Sequence, residues 1–201
     1  MTKEKKISDH LEKTLHESVE AKTKFWREHG EKLLTVGALL VAALKRGNKI
    51  LIFGNGGSAT DSIHFSLELV NRFIRERPGL PCIALPADGA LLTCIGNDYS
   101  FDQVFERQVR ALGRPGDVAI GLTTSGNSTN VIRAFEAARS LGMETVALLG
   151  GRGGKVVEQG LAQHALTVSA TSTTPRIQET HIWILHSLCE IIDHEMFPAN
   201  R

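Results

Sequence analysis

Between residues 50 and 168, short apolar runs alternate with amphipathic stretches. The runs lie at 50–53, 82–85, 118–122, 145–149 and 165–168. Predominantly apolar runs this short are the pattern of strands buried on both faces. Helical spacing fills the intervals at 61–75, 89–94, 101–112, 130–141 and 154–159, and a last helix is expected from 176 to about 195. Strands and helices in alternation predict an α/β fold, with a five-stranded parallel sheet flanked by helices. Open sheets of this kind take ligands outside the C-terminal ends of their strands.

The N-terminal part has a different period. Residues 8–44 read as helical, with Leu11, Leu15, Val19 and Phe25 on a roughly shared face. After Gly30 a second run, 33–44, is apolar on most sides. Such a helix requires burial, here expected against a second subunit. The chain therefore divides into an N-terminal helical segment, 1–48, serving as an oligomer contact, and a domain at 49–201. No low-complexity linker and no solenoid repeat interrupts it.

Composition narrows the function classes. The 201 residues suffice for one domain with a sizeable core. A net charge of +1 provides no global field for nucleic acid or a membrane surface. No 18-residue apolar run suggests a spanning helix. The opening Met1-Thr-Lys-Glu-Lys-Lys6 is charged, unlike a signal core, so a cytoplasmic location is expected. Cys82, Cys94 and Cys189 are isolated in apolar contexts without a CxxC, and all three are expected to be buried, reduced thiols.

Candidate chemistry gathers where strands give way to helices. After the first strand, Gly54-Asn-Gly-Gly-Ser58 is a glycine-rich turn that offers bare N–H groups and a hydroxyl at a helix start. It is neither a Walker A loop nor GxGxxG, since Ala59 takes the third glycine's place. After the third strand, Thr123-Thr-Ser-Gly-Asn-Ser128 places hydroxyls at another helix start. Two such loops at one sheet edge point to a phosphate or a sugar. Gly150-Gly-Arg-Gly-Gly154 reads as a plain strand-to-helix loop.

His64 and Glu68, at i, i+4, share a helix face and can ligate a divalent metal or divide acid and base roles. Arg72, one turn on, could bind an anion or stand solvated beside Glu76. In the last helix Gln178 and His186 lie on the same broad side, and His181 is a rival on spacing alone. His194 and Glu195 read as a solvated terminus. Asn97 and Asp98 read as turn formers that could also hydrogen-bond sugar hydroxyls.

Together these segments resemble the sugar isomerase (SIS) domain proteins, and within them the phosphoheptose isomerases. The resemblance is carried by Gly54-Asn-Gly-Gly-Ser-Ala59, His64-Phe-Ser-Leu-Glu68, Arg77-Pro-Gly-Leu-Pro81, Ile95-Gly-Asn-Asp-Tyr99, Gly113-Arg-Pro-Gly-Asp117, Thr124-Ser-Gly-Asn-Ser128, Arg176-Ile-Gln-Glu179 and His186. It implies conversion of sedoheptulose 7-phosphate to D-glycero-D-manno-heptose 7-phosphate through an enediol, on the way to lipopolysaccharide heptose. It also implies a zinc ion, a homotetramer and sites shared between subunits. By position, His64, Glu68, Gln178 and His186 would bind zinc, with Glu68 and His186 as the acid/base pair. Ser58, Thr123, Thr124, Ser125 and Ser128 would hold the phosphate. Asn55, Gly56, Gly57, Arg72, Asn97, Asp98 and Gln178 would contact the sugar or line its pocket. The preference for His186 over His181 comes from the resemblance.

Two departures are visible. Thr123 stands where the family often has serine, and Ser172-Thr-Thr-Pro175 lacks an aspartate that some members carry there. A sister branch, a non-catalytic protein that binds the bacterial replication initiator, is similar in Gln108-Val-Arg-Ala-Leu112 and in the Ile192–Pro198 ending. That branch tends to lose the glutamate and the final histidine, both present here as Glu68 and His186.

Overall fold

A computed structural model describes residues 2–198. Its strands are β1 (Ile50–Gly54), β2 (Cys82–Ala84), β3 (Val118–Thr123), β4 (Glu144–Gly150) and β5 (His164–Val168), all parallel, in the order β2-β1-β3-β4-β5. The helices are α1 (Lys3–Lys45), α2 (Gly57–Val70), α3 (Gly89–Asp98), α4 (Val104–Leu112), α5 (Thr129–Ser140), α6 (Gly154–Glu158) and α7 (Thr174–Met196). Because side chains alternate along a strand, the central strands β1, β3 and β4 each supply two cores. Ile50 and Ile52 face a core with α1, α2 and α7; Leu51 and Phe53 face one with α3, α4, α5 and α6.

The expected N-terminal pair of helices is one continuous helix. Gly30 does not break α1, because it is buried and a Cβ there would press on the Trp26 ring. Glycine inside a helix costs only about 1 kcal/mol, which packing of the flanking turns offsets. The expected shared face also divides. Phe25 is buried, while Leu11, Leu15 and Val19 are exposed. The run assigned to a subunit contact is already used within the chain, since Leu33, Val36, Leu40 and Leu44 are buried in the core that α1 shares with α7.

Helix α2 stops at Val70, short of the expected residue 75. The following segment folds back, and the Arg77 guanidinium donates to the carbonyls of Glu68 and Leu69 at 2.8 and 2.9 Å. These are carbonyls that a helix end leaves without partners. Arg77 Nε also donates to Asp193 Oδ1 of α7 at 2.6 Å, and both side chains are buried. Asn97 and Asp98 close α3 rather than forming a free turn, and Cys94, expected inside, is exposed on that helix. Cys82 and Cys189 are buried. Among the described residues no helix is long and apolar enough to cross a membrane.

Candidate active site

The order of strands reverses at β1, with β2 on one side and β3 on the other. In open parallel sheets the crevice beside such a switch point receives ligands. Here it lies between the ends of β1 and β3, so the glycine loop and the hydroxyl loop stand next to each other. Gly56, at φ +55°, immediately precedes α2, and a Cβ on Gly57 would collide with the Gln178 carboxamide. Among the described residues neither α2 nor α5 receives a side-chain cap; Ser58, Ala59 and Thr60 N–H turn back onto the Asn55 and Gly56 carbonyls, while Gly57, Thr129 and Asn130 N–H, with the positive dipole end of both helices, remain for an anion.

In the hydroxyl loop, the Thr123 hydroxyl lies 3.1 Å from that of Ser128 and 3.5 Å from that of Ser125, and accepts from Gly126 N–H at 3.2 Å. Gly126 sits at φ +69°, where a Cβ would run into the Gly153 carbonyl. Asn127 joins the same loops: its Oδ1 accepts from Lys155 N–H and its Nδ2 donates to Ser125 O, both at 3.0 Å. Ser58 is buried at the start of α2, and Thr124 is half-buried on the hydroxyl loop.

Further along α2, His64 Nε2 lies 2.9 Å from His186 Nε2 on α7 and 3.3 Å from Glu68 Oε1. Phe73 stacks on the His186 ring at 5.5 Å between centroids, fixing its plane. The choice between the α7 histidines is therefore made by packing. His181 is wholly buried, with its Nε2 3.1 Å from the Leu149 carbonyl, and takes no part in the cluster. Burial, reinforced by the neighbouring His64, holds the His186 imidazole below its ordinary pKa; Glu68 and Glu190 oppose that shift. A neutral imidazole can accept a proton or ligate a metal.

The remaining expected residues divide. Gln178 lies against Gly57 and lines a shallow cleft with Asp61, one turn before His64. Arg72, beyond the end of α2, pairs with Glu76 on the surface at 3.6 Å. Asn97 and Asp98 are exposed, bonded to each other at 2.9 Å, and Asp98 borders a cleft of about 400 Å³ with Tyr99 and Arg107. In the single chain none of these contacts reaches the His64 cluster.

Two buried polar residues escaped the sequence reading. Asp61 is pushed up to about 6 by burial, against the Gln178 carboxamide and the His64 charge, and its Oδ2 lacks a partner. Its place three residues before His64, on one helix face, was the available signal. Asn130 is buried in the first turn of α5 and bonds to Asn55 across the crevice. From sequence it reads as one more polar residue at a helix start.

Two imidazoles and a carboxylate are donors that zinc takes readily, so the chemistry of the set suits that ion. The imidazole nitrogens now meet each other directly, and among the described residues no three His, Cys, Asp or Glu side chains are spaced to hold a metal.

The SIS domain family model matches residues 15–150. A phosphoheptose isomerase of Thermodesulfovibrio yellowstonii is 47% identical over 197 residues, covering 97% of this chain and 96% of the relative. One from Aquifex aeolicus is 49% identical over 183 residues, with coverages of 91% and 94%. The chain belongs to the phosphoheptose isomerase family of SIS-domain proteins. The solved structure of the phosphoheptose isomerase of Neisseria gonorrhoeae aligns with a TM-score of 0.86 at 41% identity, over 93% of this chain and 98% of that one. That from Francisella tularensis gives 0.87 at 38% identity, with coverages of 97% and 100%. The α/β architecture with its long N-terminal helix is thus that of the phosphoheptose isomerase family.

Proposed function

We propose that the chain isomerises sedoheptulose 7-phosphate to D-glycero-D-manno-heptose 7-phosphate, supplying heptose for lipopolysaccharide precursors. The observation that carries this reading is the convergence of His64, Glu68 and His186 beside two loops prepared for an anion. Family membership supports the same substrate.

The exchange of ketose for aldose moves one proton between adjacent carbons and adjusts the protons on their oxygens. The glycine and hydroxyl loops hold the phosphate end through Ser58, Thr123, Thr124, Ser125, Ser128 and backbone N–H groups. Held there, the substrate presents its first carbons to α2 and α7. Glu68 takes the proton from the hydroxymethyl carbon as an enediol forms, and returns it to the neighbouring carbon. His186, kept neutral by burial and by His64, takes and gives the hydroxyl proton. His64, Glu68, Gln178 and His186 would hold zinc. When bound, zinc stabilises negative charge developing on oxygen.

The enzyme is proposed to work as a cytoplasmic homotetramer. The exposed apolar residues of α1 support association, because a solvated helix face of this kind is otherwise costly. Exposure of Asn97 and Asp98 on α3 suits a contribution to a site shared between subunits. The reading as an initiator-binding protein without catalysis gains no support: the relatives described above are isomerases, and Glu68 and His186 are both retained.

The deciding experiment is proton NMR of sedoheptulose 7-phosphate with the zinc-loaded protein in D₂O. An aldose anomeric signal, with solvent deuterium at carbon, is expected. An unchanged spectrum with zinc bound would overturn the assignment.

A further inference from the structure

The glycine loop and the hydroxyl loop do not stand independently. Asn55 Nδ2 donates to Asn130 Oδ1, and Asn130 Nδ2 donates to Asn55 Oδ1, each at 2.9 Å. The two residues lie 75 positions apart and belong to the loop after β1 and to the first turn of α5. Their carboxamides close a ring across the switch-point crevice. Each side of that ring must offer one donor and one acceptor, so a carboxylate on either side breaks one of its bonds. Asn130 is only 3% exposed, so without Asn55 its amide would face the interior unsatisfied.

The other flank of the hydroxyl loop is pinned as well. Asn127 bonds to Lys155 N–H, and the Gly126 carbonyl accepts from Val156 N–H at 3.1 Å. The first turn of α6, the hydroxyl loop, the amide ring and the glycine loop therefore form one connected body. The donor groups that would meet a phosphate come from both ends of it, and their separation is set by the ring.

We propose that Asn130 is a positioning residue for the phosphate of the substrate: through its paired hydrogen bonds with Asn55 it fixes the spacing between the two loops, so that both address one anion. The proposal rests on the reading that these loops hold the phosphate. Asn130 acts through Asn55 and does not itself touch the sugar. The ring uses one hydrogen and one lone pair of the Asn55 carboxamide, and leaves the other hydrogen and lone pair for a substrate hydroxyl.

The test uses the full-length, zinc-loaded protein and its variants Asn130→Ala, Asn130→Asp, Asn55→Ala and the double alanine variant. Calorimetry measures the affinity for inorganic phosphate, and steady-state kinetics measures KM and kcat for sedoheptulose 7-phosphate. Asn130→Ala is expected to weaken phosphate binding about tenfold and to raise KM by a similar factor, with a smaller change in kcat. Asn130→Asp keeps the shape and retains one bond, so it should fold by circular dichroism and yet weaken phosphate binding. The double variant should bind phosphate no more weakly than the weaker single variant, because both remove the same ring. Unchanged phosphate affinity and KM in both Asn130 variants, or effects that multiply in the double variant, would overturn the strut while leaving the phosphate reading intact. Failure of the wild-type protein to bind phosphate at all would overturn that reading and the proposal with it.

Discussion

Glu68 is the residue on which the proposed chemistry depends most directly. Glu68→Gln keeps the volume and removes the base, so turnover should fall by about a thousandfold with an unchanged circular dichroism spectrum. A rate near that of the wild type would take Glu68 out of the proton transfer. His181 makes a separate point about pH. Burial pushes its imidazole down to about 4 from an ordinary 6.5, and the contact with the Leu149 carbonyl only partly opposes this. Between those values the unfolded chain binds a proton that the native protein refuses, so stability falls by about 1.4 kcal/mol per unit as pH drops from 6.5, and levels off near 4. Asp61 works the other way: its native carboxyl, at about 6 against an ordinary 3.8, keeps a proton that the unfolded chain releases. The comparison of His181→Gln with wild type isolates the first effect. Urea unfolding at pH 5, 6 and 7 should show the variant gaining on the wild type as pH falls; a constant gap would mean that His181 titrates alike in both states.

Among the elements, α2 and α7 are joined through Arg77, which follows α2, donates to its Glu68 and Leu69 carbonyls and forms a buried ion pair with Asp193 of α7. Arg77→Met would leave Asp193 charged and buried with only the Ile74 and Arg75 N–H groups, and should cost about 3 kcal/mol by urea denaturation. Gly126→Ala would strain a left-handed turn and press on the Gly153 carbonyl. A loss of about 2 kcal/mol or more is expected, with weaker phosphate binding, and both are measurable on one sample. At this scale the sequence was most readable. Both faces of the sheet are covered, so β1, β3 and β4 appear as predominantly apolar runs, and both site loops were visible as glycine or hydroxyl clusters after them. What could not be read depended on distant segments. Whether His181 or His186 faces α2 is set by how α7 rolls against β4 and α2, which helical spacing does not specify. The end of α2 is set by Arg77, and the pairing of Asn130 by a residue on another strand's loop.

For the whole molecule, the unresolved demand lies along the first half of α1. Ile7, Leu11, Leu15 and Val19 recur every four residues and are all more than half exposed. If this stripe is where copies meet, Leu11→Glu with Leu15→Glu should convert the expected tetramer into smaller species in sedimentation at micromolar concentration, with little change in helicity. A monomeric wild type would refute the association. The second half of α1 has a different consequence, one that concerns synthesis. Its main partner is α7, more than a hundred residues further along, and it also packs on β5. While a ribosome is still translating, Phe25, Leu33, Val36 and Leu40 emerge early and wait without their full cover until α7 has cleared the exit tunnel. The nascent chain must therefore carry a partly uncovered apolar helix until residues 174–196 have been made, and a transcript cut short before residue 174 would release a polypeptide with the α7-facing side of that helix open to chaperones and proteases.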